Sequence, residues 1–133
     1  LVGEGDLRKT IQDMIIKYEL VDKVSLLGYR SDVPAILRQS DLSVLSSYGE
    51  GFGLAIIESL AVGTICLGSH VSGIKDILDS EYLFELGDSK TLAEKIMKYC
   101  NLDLSEKCKN MVKEYDVNKM VQLYKKVYNN AIQ

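Results

Sequence analysis

Apolar residues recur at helical spacing towards both ends of the chain. In residues 6–20 they stand three or four positions apart, which predicts an amphipathic helix. Residues 89–101 and 104–130 show the same spacing, and Asp116-Val117-Asn118 predicts a break in the second of these segments. The tyrosines of that segment are expected to pack the C-terminal helix against a sheet, at Tyr115, Tyr124 and Tyr128.

Short, continuous apolar runs separate the helical segments and predict four strands, at residues 23–27, 42–45, 65–67 and 82–86. Further helices are expected between them, at residues 31–38, 53–62 and 74–78. Continuous apolar runs, rather than alternating ones, are typical of a parallel sheet that is covered on both faces. The predicted fold class is therefore α/β, a Rossmann-like parallel sheet with helices on both faces.

The residues at the ends of two of these helices support the assignment. Ser31 or Asp32 is the expected N-cap of residues 31–38, and Gly63 follows residues 53–62, where glycine commonly ends a helix. Sheets of this class bind ligands at the carboxyl ends of their strands. The loops that follow the predicted strands are therefore the expected ligand site, at residues 28–30, 46–53 and 68–73.

The composition of the chain argues against nucleic-acid binding and against a membrane span. The 133 residues are 47% hydrophobic and 26% charged, with a net charge of −3, as in an ordinary globular domain. The absence of a Lys/Arg block argues against a nucleic-acid partner, and no apolar run reaches the roughly 20 residues that span a bilayer. Three cysteines without metal-ligand spacing predict reduced thiols and a cytoplasmic location.

The beginning of the chain is also informative. It opens on Leu1-Val2-Gly3, without an initiating methionine, and these residues are typical of the end of a strand. We therefore expect residues 1–133 to be a single domain whose first strand is truncated.

The loop at residues 46–53 is rich in glycine, with Gly49, Gly51 and Gly53 in five positions. Because glycine has no Cβ, such a backbone can approach a ligand closely. The loop opens into a predicted helix, whose first N–H groups have no partner within the helix and favour an anion. The pattern therefore predicts a phosphate site at the start of this helix.

Two acids accompany the loop. The helix predicted at residues 53–62 is apolar almost all round and is expected to be buried, yet it contains Glu58. An unpaired buried carboxylate is costly, so hydrogen bonds to the hydroxyls of a ligand would explain its presence. Glu50 stands eight positions earlier, in the loop, where both acids could face one elongated ligand.

Simpler interpretations of the same residues exist. Glu50 could be a solvated loop residue or a cap on the helix, and Glu58 could pair with a basic residue such as Arg38. The glycines could serve only to shape a tight turn. The combination of the glycine loop, the apolar helix and the two acids favours a binding site.

Residues 50–58, Glu50-Gly51-Phe52-Gly53-Leu54-Ala55-Ile56-Ile57-Glu58, resemble the hallmark of the retaining, GT-B type glycosyltransferases of family 4, the group 1 family. That hallmark is an acid, seven residues and a second acid around a Gly-Phe-Gly turn. The resemblance covers nearly the whole chain, from Leu1-Val2-Gly3 onward, and departs from the common pattern at Ser72 and Asp76. It implies that the chain is one half of a GT-B fold, the C-terminal domain that binds the donor nucleotide.

The resemblance also implies roles for individual residues. Glu50 is the implied catalytic residue and contacts hydroxyls of the donor sugar, whereas Glu58 contacts the ribose of the nucleotide. The remaining donor-binding residues that it implies are Ser47, Gly51, Phe52, Gly53 and Leu54, together with Tyr29 and Arg30 at the base. No metal and no other cofactor is expected, because fixed hydrogen-bond donors would stabilise the departing diphosphate.

The implied reaction is transfer of a hexose from a UDP- or GDP-sugar to an acceptor such as a polysaccharide or lipid-linked glycan, at the inner face of the membrane. The acceptor domain, and an Arg and a Lys that hold the diphosphate, would lie outside this chain. We therefore expect the isolated domain to be inactive and to self-associate through uncovered apolar surface.

Other functions remain open at this point. A nucleotide-sugar epimerase or a phosphorylase-like GT-B protein would share the architecture, although the spacing of the two acids argues against the epimerase. A non-catalytic α/β nucleotide-binding or regulatory module is the alternative from a different class. Neither the base, the sugar nor the acceptor follows from the residues.

Overall fold

The computed structural model describes residues 1–131. The chain divides into two compact units, unit 1 at residues 1–33 and unit 2 from residue 34 onward. The sheet and the glycine loop at residues 46–53 both belong to unit 2.

Unit 1 contains one complete helix, α1 (Arg8–Lys17). It confirms the helix predicted at residues 6–20, with shorter bounds at both ends. Ile11 and Ile15, one turn apart, are half-buried, while the other positions of the helix are exposed. The apolar spacing thus identified the helix, although Met14, another of its apolar positions, is exposed.

Backbone hydrogen bonds also join the first residues of unit 1 to residues 25–28. The Leu1 ammonium donates to the Ser25 carbonyl at 2.6 Å, and the Leu27 N–H donates to the Leu1 carbonyl at 2.8 Å. No strand forms here, so the strand predicted at residues 23–27 is wrong. The Gly3 N–H donates to the Gly28 carbonyl at 2.8 Å, and Gly28 has a left-handed φ of +68°, which glycine tolerates.

Unit 2 is built on a three-stranded parallel sheet. Its strands are β1 (Ser43–Leu45), β2 (Cys66–Ser69) and β3 (Leu83–Phe84), in the order β1-β2-β3. In register, Val44 faces Leu67 and Gly68 faces Leu83. The strands confirm three of the four predicted apolar runs, and β2 is buried along its whole length.

Helices flank the sheet: α2 (Val33–Arg38), α3 (Leu54–Ala61), α4 (Ser89–Tyr99), α5 (Ser105–Val112) and α6 (Val117–Ala131). The α/β prediction is confirmed by this arrangement. The core between sheet and helices is formed by buried side chains from most of these elements, principally Ile56, Leu60, Ile65, Leu67, Ile74, Leu78, Tyr82, Phe84, Tyr99 and Cys108.

The residues that begin and end these helices follow the expected chemistry in part. Gly63, with a φ of +91°, follows α3 as expected. Asp88 caps α4, its carboxylate accepting from the Thr91 N–H at 3.0 Å. Asp32, one of two expected caps of α2, is instead bound through both carboxylate oxygens to Arg30, at 2.7 and 2.6 Å.

The helix predicted at residues 74–78 is wrong. Ile77 donates to the Ile74 carbonyl three residues back, whereas Leu78 donates to the same carbonyl four residues back. These mixed bonds form successive turns rather than a regular helix. Ile74 and Leu78 are buried all the same, so the apolar pattern of the segment reflected burial rather than helix.

The predicted break near Asp116 is confirmed. A 3₁₀ turn (Lys113–Tyr115) follows α5, and Asp116 leaves the helical conformation with a ψ of 134°. Its carboxylate then accepts from the Asn118 N–H at 2.8 Å at the start of α6.

α6 exposes its apolar face. Every residue of the helix is exposed, including Tyr124 and Tyr128, so the expectation that these two tyrosines pack the helix on the sheet is wrong. Tyr115, just before the helix, is half-buried and does pack against the core. Among residues 1–131, no helix combines the length and the apolar character that crossing a membrane requires.

Candidate functional site

The site begins where β1 ends. Ser47 follows the strand, and its hydroxyl donates to the Glu50 carboxylate, with 2.6 Å between Oγ and Oε1. The Ser47 carbonyl accepts in turn from the hydroxyl of Ser69, a fully buried residue at the end of β2, at 2.5 Å. Glu50 is therefore held at the carboxyl edge of the sheet, through hydrogen bonds that involve two adjacent strands.

The hydrogen bond from Ser47 leaves much of the carboxylate available. A carboxylate has two oxygens and about four acceptor sites, of which the Ser47 hydroxyl occupies one. Glu50 is half-buried, so its exposed remainder can accept hydrogen bonds from hydroxyls of a bound molecule. This geometry does not support the interpretation of Glu50 as a helix cap, since no side chain caps α3.

Gly53 places the loop at the start of α3. It is the N-cap residue, with a φ of +63°, and its carbonyl accepts the first helical hydrogen bond from the Ile56 N–H at 2.9 Å. This left-handed conformation favours glycine strongly over other residues. The first N–H groups of the helix have no helical partner, so they can donate to an anion.

The turn at residues 73–76, after β2, packs against the glycine loop. Gly73, at a φ of +83°, lies so close to the Glu50 carbonyl that a Cβ at this position would overlap it. The Gly73 N–H donates to the Asp76 carboxylate at 3.2 Å. The side chain of Glu50 is therefore held by Ser47, and its main-chain carbonyl packs against the turn after β2.

The ring of Phe52 packs against a residue that is distant in sequence, Tyr115. Its ring meets the ring of Tyr115 edge to face, with centroids 5.6 Å apart and an interplanar angle of 69°. The Tyr115 hydroxyl donates to the Asp76 carbonyl at 3.1 Å. One aromatic side chain thus touches both the glycine loop and the turn that supports it.

Glu58 is exposed, which corrects the expectation that α3 is buried all round. Only one face of α3 is buried, at Ile56, Ser59 and Leu60, because the sheet and α5 cover that side. The alternative that Glu58 pairs with Arg38 is not supported, since Glu58 makes no ion pair within residues 1–131. Its carboxylate is open to a ligand on the surface of the helix.

Tyr29 and Arg30 lie in unit 1. Tyr29 is 82% exposed, and Arg30 forms its bidentate pair with Asp32. The Arg30 guanidinium lowers the pKa of Asp32 by donating a hydrogen bond to the carboxylate. These residues line a depression of about 390 Å³.

A cavity of about 510 Å³ lies away from the glycine loop. Its lining includes residues that precede β1 and β2, so it is at the amino ends of these strands, among them Arg38, Asp41, Thr64, Ile65, Cys100 and Ser105. Ligands of open α/β sheets bind at the opposite edge. This cavity therefore does not belong to the site built on residues 46–53.

Three residues of the site were missed by sequence reasoning: Ser69, Gly73 in its supporting role, and Tyr115. Ser69 and Gly73 lie within the predicted ligand loop at residues 68–73, so the signal for them was present. Tyr115 is distant in sequence, and its contact with Phe52 had no signal in the pattern. No group of three or more His, Cys, Asp or Glu side chains suited to a metal ion occurs in residues 1–131.

The chain is similar in sequence to known glycosyltransferases. Residues 1–116 match the family described as glycosyl transferases group 1. The chain is 30% identical to the N-acetyl-alpha-D-glucosaminyl L-malate synthase of Bacillus anthracis, over 99% of this chain and 37% of that protein. It is 32% identical to the UDP-Gal:alpha-D-GlcNAc-diphosphoundecaprenol alpha-1,3-galactosyltransferase of Escherichia coli, over 99% of this chain and 36% of that protein. It therefore spans little more than a third of the length of these curated relatives.

The fold is similar to solved structures as well. Anabaena HepE in complex with UDP and glucose superposes with a TM-score of 0.86 and 22% identity, over 98% of this chain and 40% of that chain. S. aureus TarM superposes with a TM-score of 0.86 and 24% identity, over 96% of this chain and 28% of that chain. These neighbours confirm the expected GT-B type of α/β fold.

Proposed function

Because the chain belongs to the glycosyl transferases group 1 family, we propose that it is the C-terminal, donor-binding domain of a retaining family 4 glycosyltransferase. The acceptor domain is the rest of the enzyme and lies outside residues 1–133. The proposal is supported by the share of its relatives that the chain covers, 37% and 36% in the two proteins named above.

The proposed donor is a hexose carried by UDP, with GDP as the second candidate. Support comes from the names of similar proteins: HepE has been crystallised with UDP-glucose, and the Escherichia coli relative is named for UDP-Gal. The chain is 32% identical to the latter, so the preference for UDP rests on family likeness together with the site described above.

The Ser47–Glu50 hydrogen bond is the observation that carries the proposal. It fixes one carboxylate oxygen of Glu50 at 2.6 Å from the Ser47 hydroxyl, next to the start of α3. The other oxygen can accept from two neighbouring hydroxyls of a sugar, while the glycine-rich backbone allows the ring to approach. In this proposal Glu50 is the residue that orients the donor sugar for transfer.

The start of α3 receives the diphosphate in this proposal. Gly51, Gly53 and Leu54 supply backbone N–H groups near the positive end of the helix, which favours a phosphate by about 0.3–1 kcal/mol per charge. The departing diphosphate is then stabilised by fixed donors and without a metal ion. Glu58, exposed on the same helix, is assigned to the ribose hydroxyls, and Tyr29 and Arg30 to the base.

The proposed acceptor is a polysaccharide or a lipid-linked glycan. The Escherichia coli relative is named for a diphosphoundecaprenol-linked acceptor, and a Campylobacter jejuni relative, 31% identical, is named for another.

We place the full enzyme in the cytoplasm, at the inner face of the membrane. The isolated 133-residue chain is proposed to be inactive, and turnover of a UDP- or GDP-sugar by the pure chain would contradict this part.

Titration of UDP and of UDP-glucose into the chain tests the proposal. In Glu50→Gln the binding of UDP is expected to stay unchanged, while UDP-glucose loses about 10-fold in affinity, the effect of one lost charge-assisted hydrogen bond. Glu94→Gln is the matched control, because Glu94 is exposed on α4. Equal losses for UDP and UDP-glucose in Glu50→Gln would contradict the assignment of Glu50 to the sugar.

A further inference from the structure

We infer that Tyr115 is a positioning residue for the donor site, holding the glycine loop at residues 46–53 in its binding conformation from the junction of α5 and α6. The inference rests on the proposed function. Tyr115 itself would not touch the donor, and its effect would pass through Phe52 and the turn at residues 73–76.

Phe52 needs an anchor because of its neighbours. Gly51 and Gly53 flank it, and glycine has the greatest backbone freedom of any residue. Phe52 remains 49% exposed, so the core does not enclose it. Its edge-to-face contact with Tyr115, with centroids 5.6 Å apart, lies within the range of favourable aromatic pairs.

Tyr115 also holds the opposite side of the loop. Its hydroxyl donates to the Asp76 carbonyl at 3.1 Å, and the Asp76 carboxylate accepts from the Gly73 N–H at 3.2 Å. Gly73 in turn lies against the Glu50 carbonyl. The ring and the hydroxyl of one residue therefore restrain the main chain on both sides of Gly51.

Tyr115 is held in place by the elements on both sides of it. It ends the 3₁₀ turn (Lys113–Tyr115) after α5, and α5 packs on α3 with Cys108 fully buried. The Asp116 carboxylate accepts hydrogen bonds from the first turn of α6 immediately afterwards. Tyr115 thus connects the glycine loop to both C-terminal helices.

Three variants separate the roles of ring and hydroxyl. Tyr115→Phe keeps the aromatic contact and removes the hydrogen bond to Asp76, and Tyr115→Leu removes both. Tyr99→Phe is the matched control, because its hydroxyl also donates one hydrogen bond of 3.1 Å, to Glu81, and lies outside the loop. Each protein is studied well below its midpoint of thermal unfolding.

The first measurement needs no ligand. Backbone ¹⁵N relaxation of Gly51, Phe52 and Gly53 reports how rigid the loop is on the picosecond to nanosecond timescale. The inference predicts lower order parameters in Tyr115→Leu, an intermediate loss in Tyr115→Phe, and wild-type values in Tyr99→Phe. Wild-type values in Tyr115→Leu, or an equal loss in the control, would overturn it.

The second measurement is titration with UDP. The expected loss of affinity is about 10-fold for Tyr115→Leu and about 3-fold for Tyr115→Phe, the scale of one aromatic contact plus one hydrogen bond. Unchanged affinity in Tyr115→Leu overturns the positioning role even when wild-type binding upholds the proposed function. If the wild-type chain bound no UDP, the proposed function would fail, and the relaxation data would still decide whether Tyr115 orders the loop.

Discussion

Gly73 lies against the main-chain carbonyl of Glu50, at a φ of +83° and with no room for a Cβ. Gly73→Ala therefore destabilises the fold in two ways. The left-handed backbone is strained by about 1–2 kcal/mol, and the new Cβ overlaps the Glu50 carbonyl. We expect this variant to lose more than 2 kcal/mol of unfolding free energy, or to move the loop. Urea unfolding measures the loss.

Gly87→Ala is the matched control for this prediction. Gly87 has nearly the same φ, +80°, but a Cβ there would meet nothing within 4 Å. Its loss should be that of the backbone strain alone, about 1–2 kcal/mol. An equal loss of unfolding free energy in the two alanine variants would show that the contact with Glu50 does not contribute to stability.

Ser47→Ala removes the hydroxyl that orients Glu50. With its 2.6 Å partner gone, the carboxylate is free to rotate away from the sugar position. We expect UDP-glucose to bind about 3- to 10-fold more weakly, because one hydrogen bond is lost, while the affinity for UDP stays unchanged. Calorimetric titration provides the comparison, and Ser40→Ala, which loses a hydroxyl bonded to the Ile36 carbonyl, is the control.

The buried thiol of Cys66 predicts a loss of stability in alkali. Burial raises its pKa from 9.0 to about 11. Between these values the unfolded chain releases the proton while the folded chain retains it, so rising pH favours unfolding. The slope reaches about 1.4 kcal/mol per pH unit at most.

Unfolding by urea at pH 8 to 11 isolates this effect when the wild type is compared with Cys66→Ala. The variant should lose stability from its smaller side chain at every pH, but the difference from wild type should shrink as the pH rises from 9 to 11. Cys100→Ala, at a half-exposed thiol, is the control. A difference that stays constant across this range would disprove the role of the Cys66 proton.

The apolar stripe of α6 predicts self-association of the chain. Met120, Tyr124, Val127 and Tyr128 are spaced along one face and are 50–65% exposed, so a second copy that covers them removes apolar surface from water. Sedimentation at increasing concentration should reveal a dimer. Val127→Gln should return it to monomer and Lys126→Gln on the polar face should not, whereas a wild-type monomer throughout would refute the prediction.

Periodicity identified most elements because helical and strand spacing are local properties. It failed where tertiary contacts determine whether a segment forms a strand or which face of a helix is buried. The apolar run at residues 23–27 forms no strand, although its backbone is hydrogen-bonded to Leu1. The composition of α3 suggested burial all round, but only the face at Ser59 and Leu60 has neighbours, which leaves Glu58 exposed.

The candidate site shows the same division. The glycines, Glu50 and Ser47 could be recognised because they are adjacent in sequence and share one loop. The anchoring of Phe52 by Tyr115 joins residues that are 63 positions apart (115 − 52), and no local pattern encodes it. Contacts of that kind depend on how α5 packs on α3, which only the folded chain reveals.

Titration of UDP, GDP and ADP into the 133-residue chain, without metal, tests the donor-domain proposal most directly. The proposal predicts that UDP binds in preference to GDP and ADP, and that Glu58→Ala weakens UDP by about 10-fold through the lost hydrogen bonds to the ribose. Failure of all three diphosphates to bind, or binding of UDP that Glu58→Ala leaves unchanged, would contradict it.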